Sequence, residues 1–258
     1  MTTASVRSKD GTVIAFDSSG AGPALILVAG AFQFRAFDQR TQQLVKLLTP
    51  SFEVFHYDRR GRGESTDTLP YAVEREIEDL DAMISAAGGK AFVFGMSSGA
   101  VLVMRAAARG LAIRKLALYE PPFKNPAMQG YTEGLTSLLA QGRRGDAAAF
   151  AMKTFGAPPE AVAGARQSPA WPLFEAVAPT LAYDNAIMGG ATVPAGLLTS
   201  IMVPALVMDG GASPAFMREA AEETAAALPN ARRRTFEGQT HAVAPEVLAP
   251  ALAEFFGS

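Results

Sequence analysis

The chain contains no cysteine. Disulfide scaffolds, thiolate zinc sites, iron–sulfur clusters and a cysteine nucleophile are therefore excluded. Histidine is almost as scarce: His56 and His241 are the only two, so a multi-histidine metal site cannot be assembled. Neither sign of charge prevails. Lys and Arg number 23 against 25 Asp and Glu, a formal net charge of −2, which carries no electrostatic footprint for nucleic acid. The one run of three basic residues, Arg232-Arg233-Arg234, falls in a predicted strand and reads as ordinary strand-edge charge. No apolar run of about 18 residues occurs, so no membrane span is expected. The opening MTTASVRSKDG lacks the apolar segment of a signal peptide. The expectation is a cytoplasmic protein with no nucleic-acid or membrane partner and no metal or organic cofactor. A homodimer is left open.

What is present is apolar substance in short bursts. Hydrophobic residues make up 49% of 258 residues, enough for a full core in one or two domains. Strands are predicted over 13–16, 24–29, 52–57, 91–94, 114–119, 205–208 and 233–236. The run ALILVA at 24–29 is apolar without interruption, as a strand covered on both faces should be. Helices are predicted over 37–48, 72–87, 98–108, 214–228, with Ser213 as its N-cap, and 245–256. Such alternation implies βαβ crossovers and a mainly parallel sheet flanked by helices. Sheets of this kind place their chemistry at the carboxyl ends of the strands.

One stretch breaks the rhythm. Residues 123–199 show no good strand and read as several helices interrupted by Pro and Gly. The predicted organisation is a core from 1–122 and 200–258, with 123–199 inserted as a helical cap. Tyr131, Phe150, Phe155, Trp171, Phe174, Tyr183 and Met188 belong to that insertion.

Gly95-Met96-Ser97-Ser98-Gly99 fits G-x-S-x-G. At this chain's composition the pattern arises by accident about 0.1 times. Its setting adds weight, because it follows the strand AFVF and opens an alanine-rich helix, as a nucleophile elbow does. The tight turn admits only small residues two before and two after the nucleophile, and Gly95 and Gly99 stand there. A serine hydroxyl needs a base. His56 lies inside the apolar strand FEVFHY and reads as structural. His241 lies in a loop after a late strand and before the last helix, and it is the candidate base.

With these residues the chain resembles the α/β-hydrolase superfamily over nearly all its length. Tyr57-Asp58-Arg59-Arg60-Gly61-Arg62-Gly63-Glu64-Ser65 resembles that family's D-x-R-G-x-G-x-S turn, and Ala29-Gly30-Ala31 stands where the family usually carries His-Gly-x. The resemblance implies an oxyanion hole formed by the backbone amides of Ala31, with Phe32 as its alternative, and of Ser98. It also implies an acid behind the histidine. The commonest position, about three residues past the glycine that ends the strand after the cap, is occupied here by Ser213. Asp209, at the strand end, is one candidate. Some members carry the acid after the strand that follows the nucleophile helix, and Glu120, 23 residues beyond Ser97, stands there. Glu120 is the first choice. Phe32, Met96 and Trp171 are candidates for the substrate wall.

The elbow form G-x-S-S-G-A with a relocated Glu is locally similar to hydrolases of macrocyclic resorcylic lactones such as zearalenone. The implied activity is cleavage of a small to medium apolar carboxylic ester or lactone through an acyl-serine. Other readings stay open: a catalytically slow ligand-binding protein on this fold, a carbon–carbon hydrolase or cofactor-free haloperoxidase with the same triad, or a cyclase or acyl transferase.

Overall fold

A computed structural model of the protein describes residues 1–190 and 192–258. Ala191, within the predicted insertion, lies outside the described residues. The strands are β1 (Thr2–Arg7), β2 (Val13–Ser19), β3 (Ala24–Val28), β4 (Glu53–Tyr57), β5 (Ala91–Met96), β6 (Ile113–Tyr119), β7 (Ala205–Gly210) and β8 (Ala231–Phe236). The helices are α1 (Gln39–Leu48), α2 (Val73–Ala86), α3 (Ser98–Ala108), α4 (Tyr131–Ala140), α5 (Arg144–Thr154), α6 (Pro159–Gln167), α7 (Trp171–Val177), α8 (Leu181–Met188), α9 (Ala195–Leu198), α10 (Ala215–Ala227) and α11 (Pro245–Gly257). The described strands form one sheet in the order β1-β2-β4-β3-β5-β6-β7-β8. Only the β1–β2 and β2–β4 pairings are antiparallel. This is the mainly parallel, helix-covered sheet that the alternation implies.

The alternation of side chains along each central strand builds two apolar layers. Ile26, Val28, Val93, Leu116, Leu118 and Val207 face the side covered by α2, α3 and α10. Leu25, Leu27, Phe92, Phe94, Leu206 and Met208 face the side covered by α1 and α11. Both faces are dry, which is why these strands read as unbroken apolar runs rather than alternating ones. The amphipathic spacing of Ile77, Leu80, Met83 and Ile84 turns one face of α2 onto the first layer.

Several boundaries differ from expectation for local reasons. β1 was not legible, because five of its six residues are exposed and Val6 alone packs against the core. α1 starts at Gln39 rather than 37, since the Asp38 carboxylate accepts from the Thr41 amide at 3.1 Å and caps it. Ser213 is not an N-cap: α10 begins at Ala215 with Pro214 in the cap position, and the buried Ser213 hydroxyl has no partner. β7 continues to Gly210, as Asp209 and Gly210 still pair with Thr235 and Phe236. Arg232, Arg233 and Arg234 lie on the edge strand β8, as read.

Helices α4 to α9 occupy the chain between β6 and β7. Tyr131, Leu135, Ala147, Ala148, Ala151, Ala178 and Leu181 form their common core, and Ala31 and Phe32 of the loop after β3 pack against it. Ile187, Met188 and Leu198 join the layer beneath α3 instead. The insertion is therefore fastened above the carboxyl ends of the central strands. No described helix is long and apolar enough to cross a membrane.

Candidate active site

β5 ends at Met96, α3 begins at Ser98, and Ser97 makes the turn between them with φ 56° and ψ −127°. L-residues rarely adopt such a backbone, and structures concentrate this strain at functional positions. The Ser97 amide donates to the Tyr119 carbonyl at 2.9 Å, tying the turn to the end of β6. The flanking glycines follow from the same crowding. A Cβ at Gly95 would stand 2.7 Å from the Ala100 Cα, and one at Gly99 would stand 2.4 Å from the Val28 carbonyl oxygen. Four described non-glycine residues have positive φ, and three of them, Phe32, Ser97 and Glu120, gather here.

Glu120 follows β6 directly and is fully buried. One carboxylate oxygen accepts from the Gly210 amide at 2.8 Å, and the other lies 2.7 Å from His241 Nδ1. The histidine loop is held from the same strand, because the Tyr119 hydroxyl donates to the Thr240 carbonyl at 2.7 Å. A carboxylate on Nδ1 makes that nitrogen the donor and leaves Nε2 as an acceptor. Asp209 is turned elsewhere. Its buried carboxylate receives Arg233 at 2.9 and 3.2 Å and the Thr235 hydroxyl. His56 sits buried in β4, between Asp17 and Leu27, and its Nε2 has no hydrogen-bond partner.

Ser97 and His241 line one cavity of about 370 Å³, although no hydrogen bond joins their side chains. Such bonds often tighten only once substrate is bound. Phe32, Met96, Met128, Phe155, Met188 and Met217 supply much of its apolar wall. Trp171 is absent from that wall, contrary to expectation. It packs on Phe174 with Arg166 over its ring, and its Nε1 donates to Glu175 at 3.0 Å, which holds it in the insertion's own core.

The two loops expected to present amides meet at the serine. The Gly30 amide is occupied by the Gln33 side chain at 2.6 Å, and Gln33 is fixed in turn by Asp38. Among the described residues, none accepts a backbone hydrogen bond from Ala31, Phe32 or Ser98. Gly30 closes onto the nucleophile turn so tightly that a Cβ would stand 2.9 Å from Ser97 Cβ. The arrangement offers a hydroxyl, an imidazole oriented by a buried carboxylate, and unspent amides at the mouth of a helix.

Below these loops lies a buried ionic cluster that sequence reading missed. Arg59 forms a bidentate pair with Glu76 at 2.7 and 2.9 Å. Arg59 and Arg62 each reach Asp184 of α8 at 2.7 Å. Burial alone would raise the Asp184 pKa, but the guanidiniums of Arg62 and Arg59 and the Ser98 hydroxyl outweigh it and hold the carboxyl below its usual range. The signal was present: three arginines within four residues, set among apolar strands, require carboxylate partners if they are buried. Among the described residues, no group of three or more His, Asp or Glu side chains could hold a metal ion.

The profile of the alpha/beta hydrolase family matches residues 25–252. Among solved structures, an alpha/beta hydrolase from Sphaerobacter thermophilus DSM 20745 is 54% identical, with a TM-score of 0.90 over 98% of this chain and 100% of that one. An esterase from Rhodococcus sp. ECU1013 is 21% identical, with a TM-score of 0.72 over 100% and 99% of the two chains. A thermophilic esterase from Thermogutta terrifontis is 24% identical, with a TM-score of 0.74 over 100% and 98%. At those identities the two esterases share the fold. None of the curated proteins compared matches the chain.

Proposed function

Because the chain belongs to the alpha/beta hydrolase family, we propose that it is a serine hydrolase cleaving a carboxylic ester or lactone through an acyl-serine, with Ser97, His241 and Glu120 as its triad. The observation that carries this reading is the 2.7 Å pair between His241 Nδ1 and a Glu120 carboxylate sealed from solvent, at the rim of the cavity that Ser97 lines.

The chemistry follows from the groups at hand. His241 Nε2 takes the Ser97 proton as Oγ attacks the carbonyl carbon. The carbonyl electrons move onto oxygen, which the amides of Ala31 and Ser98 receive. Collapse expels the alkoxide, which leaves with the proton held on His241. A water molecule, deprotonated by the same nitrogen, then attacks the acyl carbon and releases the acid and Ser97. Glu120 stabilises the imidazolium formed in each half-reaction. Each oxyanion donor contributes about 3 kcal/mol. The largely apolar wall favours an uncharged, hydrophobic ester or lactone.

The test is turnover of p-nitrophenyl esters from acetyl to decanoyl, and of a macrocyclic lactone, by wild type and Ser97→Ala. Ester or lactone hydrolysis reduced on the order of a thousandfold in Ser97→Ala supports the reading. No turnover of any ester or lactone by wild type overturns it.

A further inference from the structure

Resting on the proposed hydrolase reading, we infer that Asp184 of the helical insertion is a positioning residue that sets both oxyanion loops at once. Its Oδ1 accepts from the Ser98 hydroxyl at 2.7 Å, and Ser98 is the residue whose amide faces the developing oxyanion. Its Oδ2 accepts from Arg62 Nη2 at 2.7 Å, while Nη1 of the same guanidinium donates to the Gly30 carbonyl at 2.6 Å, one residue before Ala31. A single carboxylate on α8 thus reaches both donor loops, one through Ser98 and the other through Arg62. Apart from a long contact from Gln33 Nε2 to the Met96 sulfur at 3.9 Å, no direct hydrogen bond joins the two loops among the described residues.

The cluster is rigid because it is closed. Asp184 is 4% exposed, Arg62 1% and Ser98 3%. Arg62 Nε donates to the Thr180 hydroxyl at 3.0 Å, and Arg59 Nη1 reaches both Asp184 at 2.7 Å and the Ala29 carbonyl at 3.2 Å. Arg59 and Arg62 stand on the loop after β4, and their partners lie on the insertion, on the loop after β3 and, for Arg59, at Glu76 of α2. Seating the insertion and aligning the amides are consequently one event. Charge-assisted bonds of this length are directional enough to fix a donor to a fraction of an ångström, the tolerance that oxyanion stabilisation requires.

Ser98→Ala isolates the effect. It deletes one route and leaves the amide, and Asp184 Oδ1 keeps Arg59 as a partner, so the variant folds. Ser98→Thr restores a hydroxyl. The measurements are kcat and KM on the ester series, the melting temperature, and the rate at which a fluorophosphonate labels Ser97. That reaction also drives an oxygen into the oxyanion hole, so it reports on alignment even where no ester is turned over. The expected result is a kcat and a labelling rate lowered about tenfold in Ser98→Ala, with KM within about twofold and full or partial recovery in Ser98→Thr. Asp184→Asn lowers both rates further and also lowers the melting temperature. Unchanged labelling and kcat in Ser98→Ala overturn the inference while leaving the hydrolase reading intact. Labelling of wild type without ester turnover removes the ester reading but still tests the alignment. No labelling of wild type overturns both.

Discussion

Glu120 and His241 are joined by a 2.7 Å contact between a carboxylate with no solvent exposure and a histidine side chain that is 37% exposed. The asymmetry suits a histidine that must meet a substrate while its acid stays dry. The second Glu120 oxygen is already spent on the Gly210 amide, so the carboxylate cannot rotate away without losing a buried bond. Glu120→Gln should lower kcat on esters on the order of 10³–10⁴-fold, as an amide neither enforces the Nδ1–H tautomer nor stabilises the imidazolium. Asp209→Asn should stay within a few-fold in kcat, because its partners are Arg233 and Thr235. Steady-state kinetics on the two variants decide between the candidates, and the reverse pattern would move the acid to Asp209.

The elbow glycines give a prediction on stability. Gly99→Ala places a Cβ 2.4 Å from the Val28 oxygen and 2.6 Å from the Ala29 oxygen, both backbone atoms that cannot move aside cheaply. The expected cost is about 3 kcal/mol or more, a melting temperature lower by about 6–12 °C for a chain of this size. Gly164→Ala, on an exposed face of α6 with nothing within 4 Å of the new Cβ, should hold or gain up to about 1 kcal/mol through helix propensity. Thermal scans of the pair measure the difference, and equal melting temperatures would show that the elbow is not crowded.

Much of this was legible in the sequence, and the exceptions share a cause. Strands buried on both faces, such as β3 and β6, announce themselves through apolar runs, and the elbow announces itself through glycines that backbone contact demands. Glu120 was reachable because its place in chain order follows strand topology. β1 was not, since TTASVR is an exposed edge strand in which Val6 alone packs against the core. Asp184 was not, since pairing across 122 residues to Arg62 leaves no local pattern. Trp171 misled for the opposite reason: a large aromatic in an insertion serves equally well as cavity wall or as core, and only packing distinguishes them.

The cavity wall makes that distinction measurable. Phe155 lines the cavity and meets Phe32 and Tyr131 edge-on or tilted at 6.3 and 5.7 Å between centroids. Phe155→Ala removes ring volume from the substrate side and should move the preferred p-nitrophenyl ester towards longer acyl chains. Trp171→Phe changes a side chain held behind that wall, so its chain-length profile should overlay that of wild type. A profile shifted by Trp171→Phe and not by Phe155→Ala would place the acyl chain on the other side of α7.

His56 supplies a pH prediction independent of catalysis. It is buried in β4, and its Nε2 has no hydrogen-bond partner. Burial dominates its environment and lowers its pKa, against the opposing pull of Asp38 and Asp58. In the unfolded chain the group titrates at about 6.5. Between that value and the lowered folded value, the unfolded state binds the extra proton, so acid favours unfolding. The stability tied to neutral His56 is therefore complete above pH about 6.5 and is lost as pH falls towards the folded pKa. Urea midpoints measured from pH 7.5 down to pH 5.5 should fall more steeply for wild type than for His56→Leu, which carries no titrating group at this position. The separation between the curves should grow by up to about 1.4 kcal/mol for each pH unit below 6.5. Parallel curves would mean that His56 accepts a proton without unfolding, and that β4 tolerates a charged imidazole between Asp17 and Leu27.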